Sequence, residues 1–184
     1  MVPKHDFAST LEAAQTGAEW ALGDLYRGLQ PSLLRYLVSQ DPAEGEDLAS
    51  DVWLDIGRGI RTFEGDEGAF RSWAFTIARR RLIDLRRKRA RRRTQPAHPA
   101  HFLSQPEPTE PLQAVEGGDA LSSLALLPAD WAEVVLLRVV AGLDSNAVAA
   151  VTGKTPGNVR LIQKRALERL AALLPVEDES AVTQ

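Results

Sequence analysis

The chain of 184 residues has no cysteine, one methionine and three histidines. Without cysteine there is no disulfide, no thiolate nucleophile and no cysteine-bound zinc. His5, His98 and His101 lie in a terminal stretch and a proline-rich stretch, with no His-Glu-x-x-His or similar spacing. They read as solvated side chains, and no metal or other cofactor is expected. No apolar run approaches the roughly 20 residues that span a bilayer, and no signal-peptide core follows Met1. These absences describe a soluble cytoplasmic protein with no membrane insertion.

Charge of one sign is scarce almost everywhere except in one place. The formal net charge is only −3, from 22 basic and 25 acidic residues. Residues 79–93 hold ten of those basic residues and a single acid, Asp84, which leaves 12 basic against 24 acidic elsewhere. Such separation suits one nucleic-acid-facing element on an acidic body. The run Phe70–Arg93 begins with Phe70, Trp73, Ala74 and Ile77 at helical spacing, so its aromatic root packs and its arginines face outward. A solvated or disordered basic tail is the bland alternative.

Ahead of this run, Met1–Ser9 reads as a loose tail and Ala18–Val38 as a helix with Leu22, Leu25, Tyr26, Leu29, Leu33, Leu34 and Leu37 inward. Pro31 should bend that helix or start a new turn. Asp41-Pro42-Ala43-Glu44 is a helix start, with Asp41 as cap and Pro42 in the first turn. The helix runs to about Ile60 and buries Leu48, Val52 and Ile56. Glu44, Asp47, Asp51 and Asp55 form an acidic edge along it. Like charges at i, i+4 weaken a helix by roughly 0.2–0.5 kcal/mol per pair, so the edge calls for a basic partner. Residues 61–68 read as a loop.

Five prolines and a Gly117-Gly118 pair leave residues 95–118 without periodicity, which marks a flexible linker. As a coil it spans about 28 Å, enough to let two modules reach DNA sites one to two turns apart. The expected architecture is therefore all-α, with two small helical domains at residues 1–94 and 119–184 and an acidic C-terminal tail. In the second, Ala120–Leu127 reads as a short helix and Pro128-Ala129-Asp130 opens the next. Asp144-Ser145 starts a short helix, Gly153 makes a tight turn, and Thr155-Pro156-Gly157-Asn158 begins the last helix. Short helix, glycine turn and capped longer helix match a helix-turn-helix. Val159, Ile162, Ala166, Leu167, Leu170 and Leu173 supply its inner face. Arg160, Leu161, Gln163, Lys164 and Arg165 point outward, and several of these suit base edges and phosphates.

In this order, LYRGLQPSLLRYL (25–37), EDLASDVWLDI (46–56), FRSWAFTIARRRLIDLRR (70–87), LPADWAEVVLLRVVAGL (127–143) and the turn-helix pair resemble an extracytoplasmic-function sigma factor of the sigma-70 family. The resemblance implies a promoter-specificity subunit with no catalytic activity of its own. It implies docking on RNA polymerase core, at the clamp helices of the largest subunit, through Asp47, Ser50, Asp51 and Leu54, with a further contact to the flap. It makes Phe63, Phe70, Trp73, Arg79, Arg80, Arg81, Arg86 and Arg87 the reading and melting set for a −10 element. Thr155, Asn158, Arg160, Leu161, Gln163, Lys164 and Arg165 become the reading set for a −35 element. Promoter DNA and an anti-sigma factor are the other implied partners. Two positions depart from the family pattern: Arg80 replaces a frequent asparagine, and Leu161-Ile162 replaces a common Ser-Arg pair. The resemblance therefore does not carry over a −10 or −35 base sequence. The rival readings are a free-standing helix-turn-helix regulator, which leaves the acidic helix and the linker without a job, and a nuclease. Against the second, Asp47, Asp51 and Asp55 form a linear stripe rather than a convergent metal cage.

Overall fold

Seven α-helices and two 3-10 turns, with no strand, make up the described residues, 6–94 and 123–173, of this computed structural model. The linker at 95–118 and the acidic tail lie outside the described residues. The first helix, α1 (Phe7–Gln15), overlaps the stretch expected to be a loose tail. Asp6 is extended and accepts a hydrogen bond from the Ser9 amide at 2.7 Å, so the chain has an N-cap three residues before Ser9. Leu11 and Ala14 then anchor the short helix in the core.

Helix α2 (Glu19–Gln40) continues through Pro31, whose ring is exposed, and no new helix starts there. Ala21, Leu25, Leu29, Leu33, Tyr36 and Leu37 form its buried face. Leu22 and Tyr26, expected inward, stay outside, and Tyr26 rests against Trp53 with ring centroids 4.9 Å apart. Helix α3 (Gly45–Gly59) begins later than the Asp41-Pro42 signature indicates. Residues 41–44 close into a turn instead, in which Asp41 Oδ1 accepts from the Glu44 amide at 3.2 Å.

Gly45 shows why α3 starts where it does. A Cβ there would lie 2.7 Å from the Val38 Cα, so only glycine lets α3 begin against the α2 backbone. Gly45→Ala is expected to lower stability by about 1–3 kcal/mol, even though alanine favours helix by about 1 kcal/mol. Gly57→Ala, where a Cβ would meet nothing within 4 Å, should instead hold or raise stability. Denaturant unfolding of the pair checks both signs; equal midpoints would reject the close approach.

Helix α4 (Glu67–Thr94) is capped by Asp66, whose Oδ1 accepts from the Ala69 amide at 2.8 Å. Its buried face is Phe70, Ala74, Phe75, Ala78 and Leu82, with Trp73 and Ile77 on the margin. Further along the chain, a 3-10 turn at Ser123–Leu126 stands where a short α-helix is expected from sequence. Helix α5 (Ala129–Val139) is buried continuously from Ala132 to Leu137. Helix α6 (Ser145–Thr152) is capped by Asp144, which accepts from the Ala147 amide at 2.7 Å. Gly153 then turns the chain at φ +72°, a left-handed value that glycine adopts without strain. Helix α7 (Pro156–Leu173) follows, with Val159, Ile162 and Ala166 buried. Leu167 and Leu173, expected inward, are exposed.

The C-terminal helices do not stand apart from the N-terminal ones. Helix α6 packs along α4, and α5 touches α2. The buried core consequently runs from one half of the chain into the other.

Candidate functional site

Four side chains of α3 form an exposed stripe at i, i+3, i+4 and i+7: Asp47, Ser50, Asp51 and Leu54. Leu54 is 58% exposed, the most open large apolar side chain among the described residues of the N-terminal half. Leu48, Ala49, Val52 and Ile56 bury the opposite side, so the stripe is held on a packed helix.

The acidic edge of α3 has found much of its basic partner within the chain. Arg81 donates through Nε to Asp55 Oδ2 at 2.8 Å and lies 3.6 Å from Asp51. Hydrogen bonding to Asp55, opposed by partial burial and helped by the nearby carboxylates, raises the Arg81 pKa above its ordinary value. Arg89 pairs with Asp41 and with Glu44, the latter at 3.3 Å. Asp47 makes no ion pair among the described residues. A cleft between α3 and α4, lined by Asp47, Asp51, Arg81, Asp84, Arg87 and Lys88, carries both signs of charge.

Contrary to the expectation from sequence, the arginines of α4 do not all face outward. Arg79 is half-buried and clasps Glu133 of α5, with Nε to Oε1 at 2.9 Å and Nη2 to Oε2 at 3.4 Å. Tyr36 of α2 donates its hydroxyl to the same Oε1 at 3.3 Å. Burial first, then the Glu133 charge, push the Tyr36 pKa far above the usual tyrosine range, which keeps the hydroxyl protonated as a donor. Arg71 reaches Ser32 Oγ at 3.3 Å and the Ala141 carbonyl at 3.5 Å. Arg86 donates to Gln40 Oε1 at 2.9 Å. Arg80 and Arg87 are exposed, Arg87 lying 3.8 Å from Asp84.

Phe63, Phe70 and Trp73 come together in one aromatic cluster, closed on the far side by Phe7. Phe63 stacks on Trp73 at 5.0 Å, while Phe70 is buried beneath them. Gln15 pins the preceding turn by donating to the carbonyls of Ile60 at 3.1 Å and Phe63 at 2.8 Å. Phe63 and Trp73 are partly exposed; Phe70 has the position of a packing residue.

On the C-terminal half, Thr155 Oγ1 accepts from the Asn158 amide at 3.3 Å and caps α7. Asn158, Arg160, Leu161, Lys164 and Arg165 are exposed along that helix. Gln163 is half-buried, and its Oε1 accepts from Arg138 Nε at 2.9 Å. Arg138 also holds the Leu143 carbonyl, and Lys154 bonds Asp130 at 2.8 and 3.0 Å. The helix-turn-helix is therefore braced against α5 from both ends of its first helix.

Reasoning from sequence passed over Glu133, Tyr36, Arg71 and Arg138, the residues that make these tertiary connections. One signal was available: Glu133 stands in the otherwise apolar run of α5, where its neighbours bury. A carboxylate there needs a charged partner.

A family model described as Sigma-70 region 2 matches residues 25–92, which takes in α3 and most of α2 and α4. The N-terminal bundle is thus of the sigma-70 region 2 type. The ECF RNA polymerase sigma factor ShbA of Streptomyces griseus is 31% identical over 175 residues, spanning 87% of this chain and 91% of ShbA. SigD of Mycobacterium tuberculosis, also an ECF RNA polymerase sigma factor, is 29% identical over 85% of this chain and 78% of SigD. The solved sigma factor RpoE, in complex with the anti-sigma factor NepR from Bartonella quintana, superposes with TM-score 0.63. It is 25% identical over 83% of this chain and 96% of that one. The chain belongs to the ECF group of RNA polymerase sigma factors, in the sigma-70 family.

Proposed function

We propose that the chain docks on RNA polymerase core through Asp47, Ser50, Asp51 and Leu54 and confers promoter choice with its other exposed faces. The observation that carries this is the α3 stripe itself: an open leucine among carboxylates and a hydroxyl, beside Asp55 and the preceding Glu44, which pair with Arg81 and Arg89 of α4. Residues 1–94 form the docking and −10 module, and residues 119–184 the −35 module, joined across 95–118. In the arrangement seen here Arg80 and Arg87, with the partly exposed rings of Phe63 and Trp73, are the best placed to hold a melted strand. Arg79 can join them only after Glu133 releases it. Arg160, Lys164 and Arg165 face outward for the upstream duplex, with Asn158 and Leu161 beside them. Gln163 is tied back to Arg138 and contributes to the brace rather than to reading. The complex of the related RpoE with an anti-sigma factor supports a protein regulator for this chain also. The site of action is the cytoplasm, where RNA polymerase works.

Run-off transcription tests the reading. Purified chain added to bacterial core polymerase should yield discrete promoter-directed transcripts, whereas a free-standing regulator would yield none. Replacing Arg160 with alanine should cost about 1–3 kcal/mol at one base position if it reads guanine, or act uniformly across sequences if it grips phosphate. Equal transcription from every −35 variant, before and after mutation, would remove α7 as the reading helix.

A further inference from the structure

We propose that Leu161 recognises the 5-methyl group of a thymine in the upstream element, an inference that rests on α7 being the reading helix. On α7 the buried residues are Val159, Ile162 and Ala166. Residues 157, 161, 164 and 168, spaced by 4, 3 and 4, fall on the stripe directly opposite. Leu161 is thus the crest of the helix, and it is 44% exposed. One turn before it, Gly157 has no side chain and only open space where a Cβ would be, so the helix backbone can come close to a partner.

The surroundings decide what that partner is. Arg160, Lys164 and Arg165 flank the leucine and are exposed. A cationic frame around an apolar crest is complementary to a DNA groove, whose walls are phosphate. Leucine can neither donate nor accept a hydrogen bond. Along the major-groove edge the one apolar group a base presents is the thymine methyl. Gln163, a neighbouring amide that could have competed for a base edge, is held by Arg138 at 2.9 Å. Leu161 therefore discriminates by burying a methyl, while Lys164 and Arg165 beside it fix position on the backbone.

The test replaces thymine by deoxyuridine, which deletes that methyl and nothing else. Duplexes are first selected from a random pool with holoenzyme reconstituted from the full chain and bacterial core polymerase. Each upstream thymine of the selected duplex is then changed to deoxyuridine singly. One such change should weaken wild-type holoenzyme by about fourfold, the worth of one buried methyl. Leu161→Ala should lose a similar factor on the thymine duplex and be indifferent to uracil there, while Leu161→Met keeps the sensitivity. Thermal unfolding of the variants verifies that they fold. Upstream enrichment with every deoxyuridine change silent overturns the inference and leaves α7 as a reader. A uracil effect undiminished in Leu161→Ala overturns it too, since another group would then sense the methyl. Failure to enrich any upstream sequence overturns the reading of α7 itself.

Discussion

Glu133→Ala is expected to destabilise the chain by about 2–4 kcal/mol and to loosen the contact between its halves. The carboxylate is nearly buried and serves two donors at once, Arg79 and Tyr36. Removing one partner of a buried pair leaves the other charge unpaired, which costs about 3–5 kcal/mol when both are fully enclosed. Arg79 retains 26% side-chain exposure, so water recovers part of that loss. Glu133→Gln should lose less, about 1–2 kcal/mol, because it can still accept from Tyr36. A double-mutant cycle with Arg79→Ala isolates the pair. The chain has no cysteine of its own, so single dye labels can be placed cleanly at exposed Thr76 of α4 and Ala150 of α6. Energy transfer between them should fall in Glu133→Ala. A variant that melts with the wild type and keeps the same transfer would show that the triad holds nothing together.

This triad also marks the limit of what local pattern conveys. The helices themselves were largely legible. Residues 70–93 lie inside α4, the Asp144 cap and Gly153 turn stand where sequence put them, and the apolar period of α3 is its buried face. Each of those features is decided within a few residues of itself. What escaped was decided by distant partners. Asp6 makes an N-cap only because Leu11 and Ala14 have a core to enter. Pro31 leaves α2 unbroken, since packing on both sides of it outweighs one missing hydrogen bond. Asp41 left the helix start to hold Arg89. The acidic edge was read as seeking a basic partner; Arg81 and Arg89 of the chain itself pair with Asp51, Asp55 and Glu44, while Asp47 makes no ion pair among the described residues. Spacing identifies a charged face; it does not say whether another chain or another helix of the same chain meets it.

That distinction decides which substitution tests the docking face best. Asp51→Arg is the obvious change, yet Asp51 lies 3.6 Å from Arg81, so the variant would disturb an internal pair along with any surface contact. Leu54 has no such internal role: it is 58% exposed and shares the stripe with Asp47 and Asp51. An open leucine ringed by polar groups can anchor an interface by burying its side chain, which is worth about 1.5–3 kcal/mol when fully covered. Leu54→Arg, which adds a buried charge to the lost contact, is therefore expected to weaken binding to bacterial core polymerase by at least about 30-fold. Its thermal unfolding should stay close to wild type, because the side chain faces water in the free protein. Titration of labelled chain with core polymerase gives the affinity, and run-off transcription should fall in parallel until high core concentrations restore it. A folded Leu54→Arg chain that binds core with undiminished affinity would take α3 out of the docking surface, whatever the promoter-reading helices do.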